Sequence, residues 1–530
     1  MLDVLVKNGR VVDGTGNPWF GADIAIKNDK IVQVRHAIPN EARRVIDAAG
    51  LVVSPGFIDM HTHSDLLVFE HPEEGAKLMQ GITTSLIGQD GLSVAPVDEA
   101  NKEPMMRRVA GLLGTYLAEW PWNSMAEYLS ALDELPPATN SMMLVPHGAV
   151  RAMVVGWDNR PATPSERERM KALLARALEE GGCGFSTGLI YPPGVYADRS
   201  ELVELCKVAA SYGGFFVVHM RNESDYVLDS IGEVSGICHE AGCPLHISHL
   251  KVKGKRNWGK AGEVLRLLEE ARGKGLDVSF DQYPYIAGST MLDAVIPPRF
   301  HAGGTARLLQ SLKDRAVREE IRRVQENIKP ERWENSVDSC SWDGIMVNAV
   351  KSEANRFAEG KTVTQIAAET GQTPLDAVCN LLIAEDNAVT MTLFYGCEDN
   401  VREIMRSESM TLCSDGIVGG KPHPRVYGTC ARFLGKYVRE EKVLTLPQAI
   451  RRMTSFPAQR LGLQDRGLIR EGMVADITIF NPETIIDKGT FAEPSQYPKG
   501  ISYVLVAGQV AVEDGRLTSI RAGKALRRRE

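Results

Sequence analysis

The sequence predicts an α/β protein: a (β/α)8 TIM-like barrel, a small β-sandwich formed by both chain ends, and an insertion near the barrel mouth. Three observations carry that expectation. Through the middle of the chain, short apolar runs alternate with amphipathic helical stretches, the pattern of repeated βα units and a parallel sheet. Polar residues recur just after those runs, where barrel active sites form. Both ends instead carry short strands separated by turn signals. The expected divisions are 1–55 and 466–530 for the sandwich, 56–465 for the barrel, and about 296–350 for the insertion. No Gly-x-Gly-x-x-Gly opens a helix, which counts against a dinucleotide-binding sheet.

A chain of 530 residues, 43% hydrophobic and 24% charged, exceeds one ordinary core but allows a large α/β unit. Its net charge of -7 recommends neither a nucleic-acid partner nor a membrane surface. The basic stretch Arg521–Arg529 reads as a solvated end. Nine cysteines form no Cys-x-x-Cys pair, so free thiols are expected rather than a disulfide framework or a zinc ribbon. No basic start leads into a long apolar core, and no stretch reaches the ~18 apolar residues of a membrane span. The expectation is a soluble cytoplasmic protein acting on a small molecule, with homo-oligomerisation left open.

Near the start, Val4–Val6, Arg10–Val12, Ala22–Ile26, Lys30–Val34 and Leu51–Val53 read as strands, with Asn8-Gly9 and Asn28-Asp29 as hairpin turns. The same texture returns over 475–480 and 503–512. Between them, candidate parallel strands are Gly56–Met60, Thr83–Ile87, Met142–Pro146, Gly184–Ser186, Phe215–His219, Pro244–Ser248, Val278–Asp281, Val389–Phe394 and Met410–Cys413. Helices are expected over Pro164–Glu180, Arg199–Tyr212, Ile231–Ala241, Gly259–Gly273, Pro374–Glu385 and Asp399–Arg406. Pro-Pro turns, the charged stretch Leu308–Lys329 and two tryptophans interrupt the alternation, which suggests either a segment covering the site mouth or a peripheral helical decoration.

The chemistry gathers at strand ends. Side chains alternate faces along a strand, so His61 and His63 of the run Gly56–Asp65 point the same way and can converge on one ion. Asp90 lies in a turn after the next strand, His219 ends a strongly apolar one, and Asp415 follows the last. His246 and His249 lie on opposite faces, so His249, nearer the strand end, is expected in the centre and His246 packed beside it. Such a set can build a nitrogen/oxygen zinc site with an open position for water. A metal-bound hydroxide would then be the nucleophile, with Asp415 as general acid/base.

The chain resembles the amidohydrolase superfamily, and within it the N-acyl-D-amino-acid deacylases. The resemblance lies in Pro55–Asp59 with His61-Thr62-His63, Gly184–Gly194, His219–Glu223, His246–Lys251, Ser414-Asp415-Gly416 and His423–Thr429, then Pro457-Ala458, Leu461–Leu463 and Gly472–Asp476. It implies hydrolysis of the amide bond of N-acyl-D-amino acids with one or two Zn2+ per chain. It also implies a firm zinc on His219 and His249, a weaker one on His61 and His63, and a substrate carboxylate held by Lys251, Tyr283 and Arg425 near Ser289 and Tyr191. Many members have a cysteine zinc ligand where this chain has Asp90, a harder donor, so metal number and preference are left open. The competing readings are a cyclic-amide hydrolase of the dihydroorotase or hydantoinase kind, whose bridging lysine the stretch Gly184–Gly188 lacks, and a barrel without catalysis.

Overall fold

The computed structural model describes residues 1–39, 41–326 and 333–528. At its centre are eight parallel strands, numbered here in chain order: β1 Phe57–Asp59, β2 Ile82–Ile87, β3 Asn140–Met143 continued by Val145–Pro146, β4 Phe185–Gly188, β5 Phe216–His219, β6 Leu245–Ile247, β7 Val278–Gln282 and β8 Met410–Leu412. Each pairs in parallel with the next. The ring closes where Asp415 donates its N–H to the His61 carbonyl at 2.7 Å and Thr62 bridges Gly416. The expected barrel is therefore present. The described residues contain no helix long and apolar enough to cross a membrane.

Helices return the chain between strands, and their ends follow local chemistry. The helix Pro164–Glu179 starts with proline in its first turn behind Thr163, and Thr163 and Glu166 form a reciprocal capping box. The helix Val227–Ala241 stops at Gly242 in the left-handed conformation.

The lower barrel interior is plugged by Ile58, Leu86, Met142, Phe215 and Val217, sealed by Leu461 and Leu526. A filled floor leaves the carboxyl-terminal mouth as the place for chemistry. Leu526 corrects the reading of the basic tail as a solvated end. Ala525 and Leu526 are buried, Leu526 N–H bonds the Ser141 carbonyl at 2.7 Å, and Arg527 pairs with Asp133 at 2.8 Å. Two apolar residues among the arginines dock the tail; Arg529 lies outside the described residues.

Both chain ends share one nine-stranded sheet, joined where Val52–Pro55 runs antiparallel to Ile477–Phe480. Asn28-Asp29 makes the expected hairpin between Phe20–Lys27 and Lys30–Arg35. Asn8-Gly9 does not. Leu2–Val11 is one strand whose register slips between Val6 and Gly9, with Asn8 at φ 61 and its N–H on Asp23 Oδ1. Residues that favour left-handed backbone serve bulges as well as turns.

Between β7 and β8 lies a segment wider than the expected 296–350. Its three-stranded antiparallel sheet places Thr390–Phe394 between Ala287–Met291 and Ile345–Ala349, over its own apolar core including Leu292, Leu308, Val378 and Met391. The run Val389–Phe394, expected in the barrel, belongs here. A short, fully buried apolar run reads alike in either sheet. The charged stretch Leu308–Lys329 falls in the helices Thr305–Ser311 and Arg315–Glu326, and its last residues lie outside the described ones.

Candidate metal centre

Five strand ends deliver the expected donors to one point. His61 and His63 follow β1, Asp90 follows β2, His219 ends β5, His249 follows β6 and Asp415 follows β8. Asp90, His249 and Asp415 adopt φ of 57°, 35° and 47°, a left-handed conformation that costs of order 1 kcal/mol or more for such residues. Each bend turns a side chain back over the barrel mouth, and the surroundings hold it there. Asp281 accepts the His249 N–H at 2.6 Å, and Asp59 accepts those of Ser414 (2.8 Å) and His61 (3.3 Å). Gly88, at φ 78°, packs so tightly on Leu144 that a Cβ there would strike its carbonyl oxygen.

The six groups are at most 4% exposed. His61 Nε2 and His63 Nε2 lie 3.3 Å apart, and Asp415 Oδ1 is 3.6 and 3.3 Å from them. On the other side, His219 Nδ1 and His249 Nε2 lie 3.0 Å apart. Asp90 stands between the pairs. Its Oδ1 is 3.8 Å from both His61 and His249, and its Oδ2 is 3.7 Å from His63 and 3.9 Å from His219. Four imidazoles and two carboxylates converging with Asp90 Oδ1 buried and unpartnered fit a borderline cation such as zinc, and the two faces of Asp90 fit a pair of ions.

Electrostatics set the protonation states. Burial resists charge on Asp415, but Arg425, whose Nη1 is 2.8 Å from Asp415 Oδ2, and His61 hold its carboxyl well below the usual range. Burial keeps His61 and His219 neutral. His249 goes the other way: burial and Lys251 oppose its proton, yet Glu223 and Asp90 push it up to about 9.

The expected carboxylate-binding residues lie against this centre. A narrow cavity is lined by Tyr191, Lys251, Tyr283 and Ser289 together with His63, Asp90, His219, His249 and Asp415. Arg425 stands one layer back, fully buried, 4.6 Å over the Tyr283 ring and bonded to the Ser289 carbonyl at 3.0 Å. Tyr191 bonds Thr290 at 2.7 Å, Tyr283 bonds Tyr395, and Ser289 accepts from Asn348 at 3.1 Å. His246 lies outside the centre, between Ser279 (2.7 Å) and Asp281 (2.9 Å).

Sequence reasoning missed Glu223. Its carboxylate is 3.1 Å from His249 Nδ1, 3.6 Å from His219 Nε2 and 2.7 Å from Lys251, so it faces the outward nitrogens of one histidine pair. Its place four residues after His219 was a usable signal. Lys253 and Tyr395 also border the centre, and Glu334 stands behind Lys253; Glu334 and Tyr395 gave no signal, because they come from the segment between β7 and β8.

The amidohydrolase family profile matches residues 44–512. The chain belongs to the amidohydrolase family. Among curated amidohydrolases, it is 33% identical to a D-aminoacylase of Alcaligenes xylosoxydans xylosoxydans, over 99% of this chain and 98% of that one. An N-acyl-D-glutamate deacylase of the same organism is 34% identical over 99% and 97%. Of solved structures, the N-acyl-D-glutamate deacylase of Bordetella bronchiseptica, complexed with zinc and a phosphonate mimic of the tetrahedral intermediate, superposes with a TM-score of 0.84 at 32% identity, covering 99% of each chain. A D-hydantoinase superposes at 0.57 with 17% identity over all of both chains, a likeness of fold alone.

Proposed function

We propose that this protein hydrolyses the amide bond of N-acyl-D-amino acids with zinc, releasing a carboxylic acid and a free D-amino acid. The observation that carries the reading is the convergence of His61, His63, Asp90, His219, His249 and Asp415 at the mouth of a barrel whose full length resembles such deacylases. His219 and His249 would hold the firm ion, His61 and His63 the second, and Asp90 would bridge them. Bound zinc supplies a nucleophile from water near neutral pH and polarises the amide carbonyl.

The chain's own residues do the rest. Asp415, kept ionised by Arg425, accepts a proton at a carboxylate oxygen and returns it to the departing amine nitrogen. Lys251, Tyr283 and Arg425 hold the substrate carboxylate, with Ser289 and Tyr191 beside it. Arg425, fully buried over the Tyr283 ring, sets its positive charge behind that carboxylate. Nine free cysteines suit a cytoplasmic setting.

A panel of N-acetyl-D-amino acids, N-acetyl-L-amino acids and a hydantoin, with zinc quantified per chain, tests the reading. Turnover of the D-series with at least one zinc per chain is expected. Preference for L-substrates or for the hydantoin would refute it.

A further inference from the structure

Resting on the metal centre proposed above, we infer that Glu334, from the segment between β7 and β8, is a positioning residue for the His219/His249 pair, acting through Lys253 and Glu223. The three side chains form a buried chain, at most 4% exposed. Lys253 Nζ lies 2.6 Å from Glu334 Oε1 and 3.0 Å from Glu223 Oε2. Glu334's other oxygen accepts the Glu223 N–H, and Lys253 N–H bonds the Glu223 carbonyl at 2.7 Å. Glu334 thus fixes Glu223 from both its backbone and its charged neighbour.

That matters because Glu223 is shared. Its Oε1 serves His249 Nδ1 and Lys251, and its Oε2 faces both Lys253 and His219 Nε2. A carboxylate on the outer nitrogen of a ligating histidine fixes its tautomer and ring orientation. Lys253 already sits closer to Oε2 (3.0 Å) than His219 does (3.6 Å). Burial penalises the ammonium, and Glu334 is its foremost counter-charge, ahead of Glu223. With Glu334 neutral, Lys253 has only Glu223 to pair with and draws Oε2 away from His219. Lys253 also lies 5.8 Å from the Tyr395 ring, so one lysine joins two parts of the intervening segment to the metal centre. Docking of that segment and assembly of the site become one event.

The test measures the zinc dissociation constant by chelator competition, with circular dichroism confirming the fold, for wild type, Glu334→Gln, Lys253→Met and the double variant. Glu334→Gln should weaken zinc about tenfold, the low end of losses on changing such outer partners, and excess zinc should restore its turnover number with KM little changed. The double variant, freed of the competing ammonium, should bind within about threefold of wild type, which a merely structural role would not produce. Wild-type affinity in Glu334→Gln, or a double variant no tighter than it, overturns the inference. If Glu334→Gln does not fold, Glu334→Asp takes its place: its shortened reach should weaken zinc several-fold, and unchanged affinity overturns the inference. Wild-type protein that retains no zinc overturns the deacylase reading and this one with it.

Discussion

The two histidine pairs that face each other across Asp90 are built differently. His219 and His249 come from adjacent strands and turn their outward nitrogens toward one buried carboxylate, Glu223, itself held by two lysines and Glu334. His61 and His63 come from one strand end, and neither Nδ1 has a hydrogen-bond partner among the described residues. Their inner nitrogens instead share Asp415, the group proposed to move the proton. Outer carboxylates orient ligands and raise their basicity. On the proposed reading, one half is organised to hold an ion, and the other to couple an ion to chemistry.

The largest effect follows from that division. Asp415→Asn removes the proton carrier while leaving both histidine pairs, so the turnover number on an N-acetyl-D-amino acid should fall about 10³-fold with zinc content near wild type. Near-normal turnover would break the division at its chemical end. The second test separates the halves directly. His249→Ala should leave less than one zinc per chain after dialysis, whereas His61→Ala should keep one; elemental analysis reads both, and equal loss from the two variants would make the halves equivalent. A third variant isolates the outer carboxylate. Glu223→Gln keeps its shape but loses its charge, and should weaken zinc about 10–100-fold in an otherwise folded protein, measured by chelator competition. Unchanged affinity would remove the proposed reason for the firm half.

How much of this was legible in the sequence depends on whether the signal was local. His61-Thr62-His63 declares itself because a strand repeats every two residues, and the same rule correctly sets His249 in the centre and His246 behind it, against Ser279 and Asp281. Asp90 and Asp415 were findable because barrels gather polar residues at strand ends. The Glu223–Lys253–Glu334 chain was not, since Glu334 is 111 residues from Glu223 and no periodicity links residues that meet only through tertiary packing. The same limit explains Val389–Phe394, whose buried run matches a barrel strand but pairs in the separate sheet, and Leu526, whose role in plugging the barrel is invisible beside four arginines.

The smallest effect probes the two halves through protons. Without metal, His249 holds a proton up to about pH 9: burial and Lys251 work against it, but Glu223 and Asp90 prevail. His61 is neutral well below its usual range, because burial outweighs the nearby carboxylates. Zinc takes only neutral imidazole, so binding at His249 must release a proton. Below about 9, raising the pH removes that competitor, and the affinity of the firm half should rise about tenfold per unit before levelling off. His61→Ala, which isolates that half, should therefore release about one proton per zinc at pH 7 when titrated calorimetrically in buffers of different ionisation enthalpy. A proton count near zero would place His249 in the neutral state already, and Glu223 would then orient the imidazole without charging it.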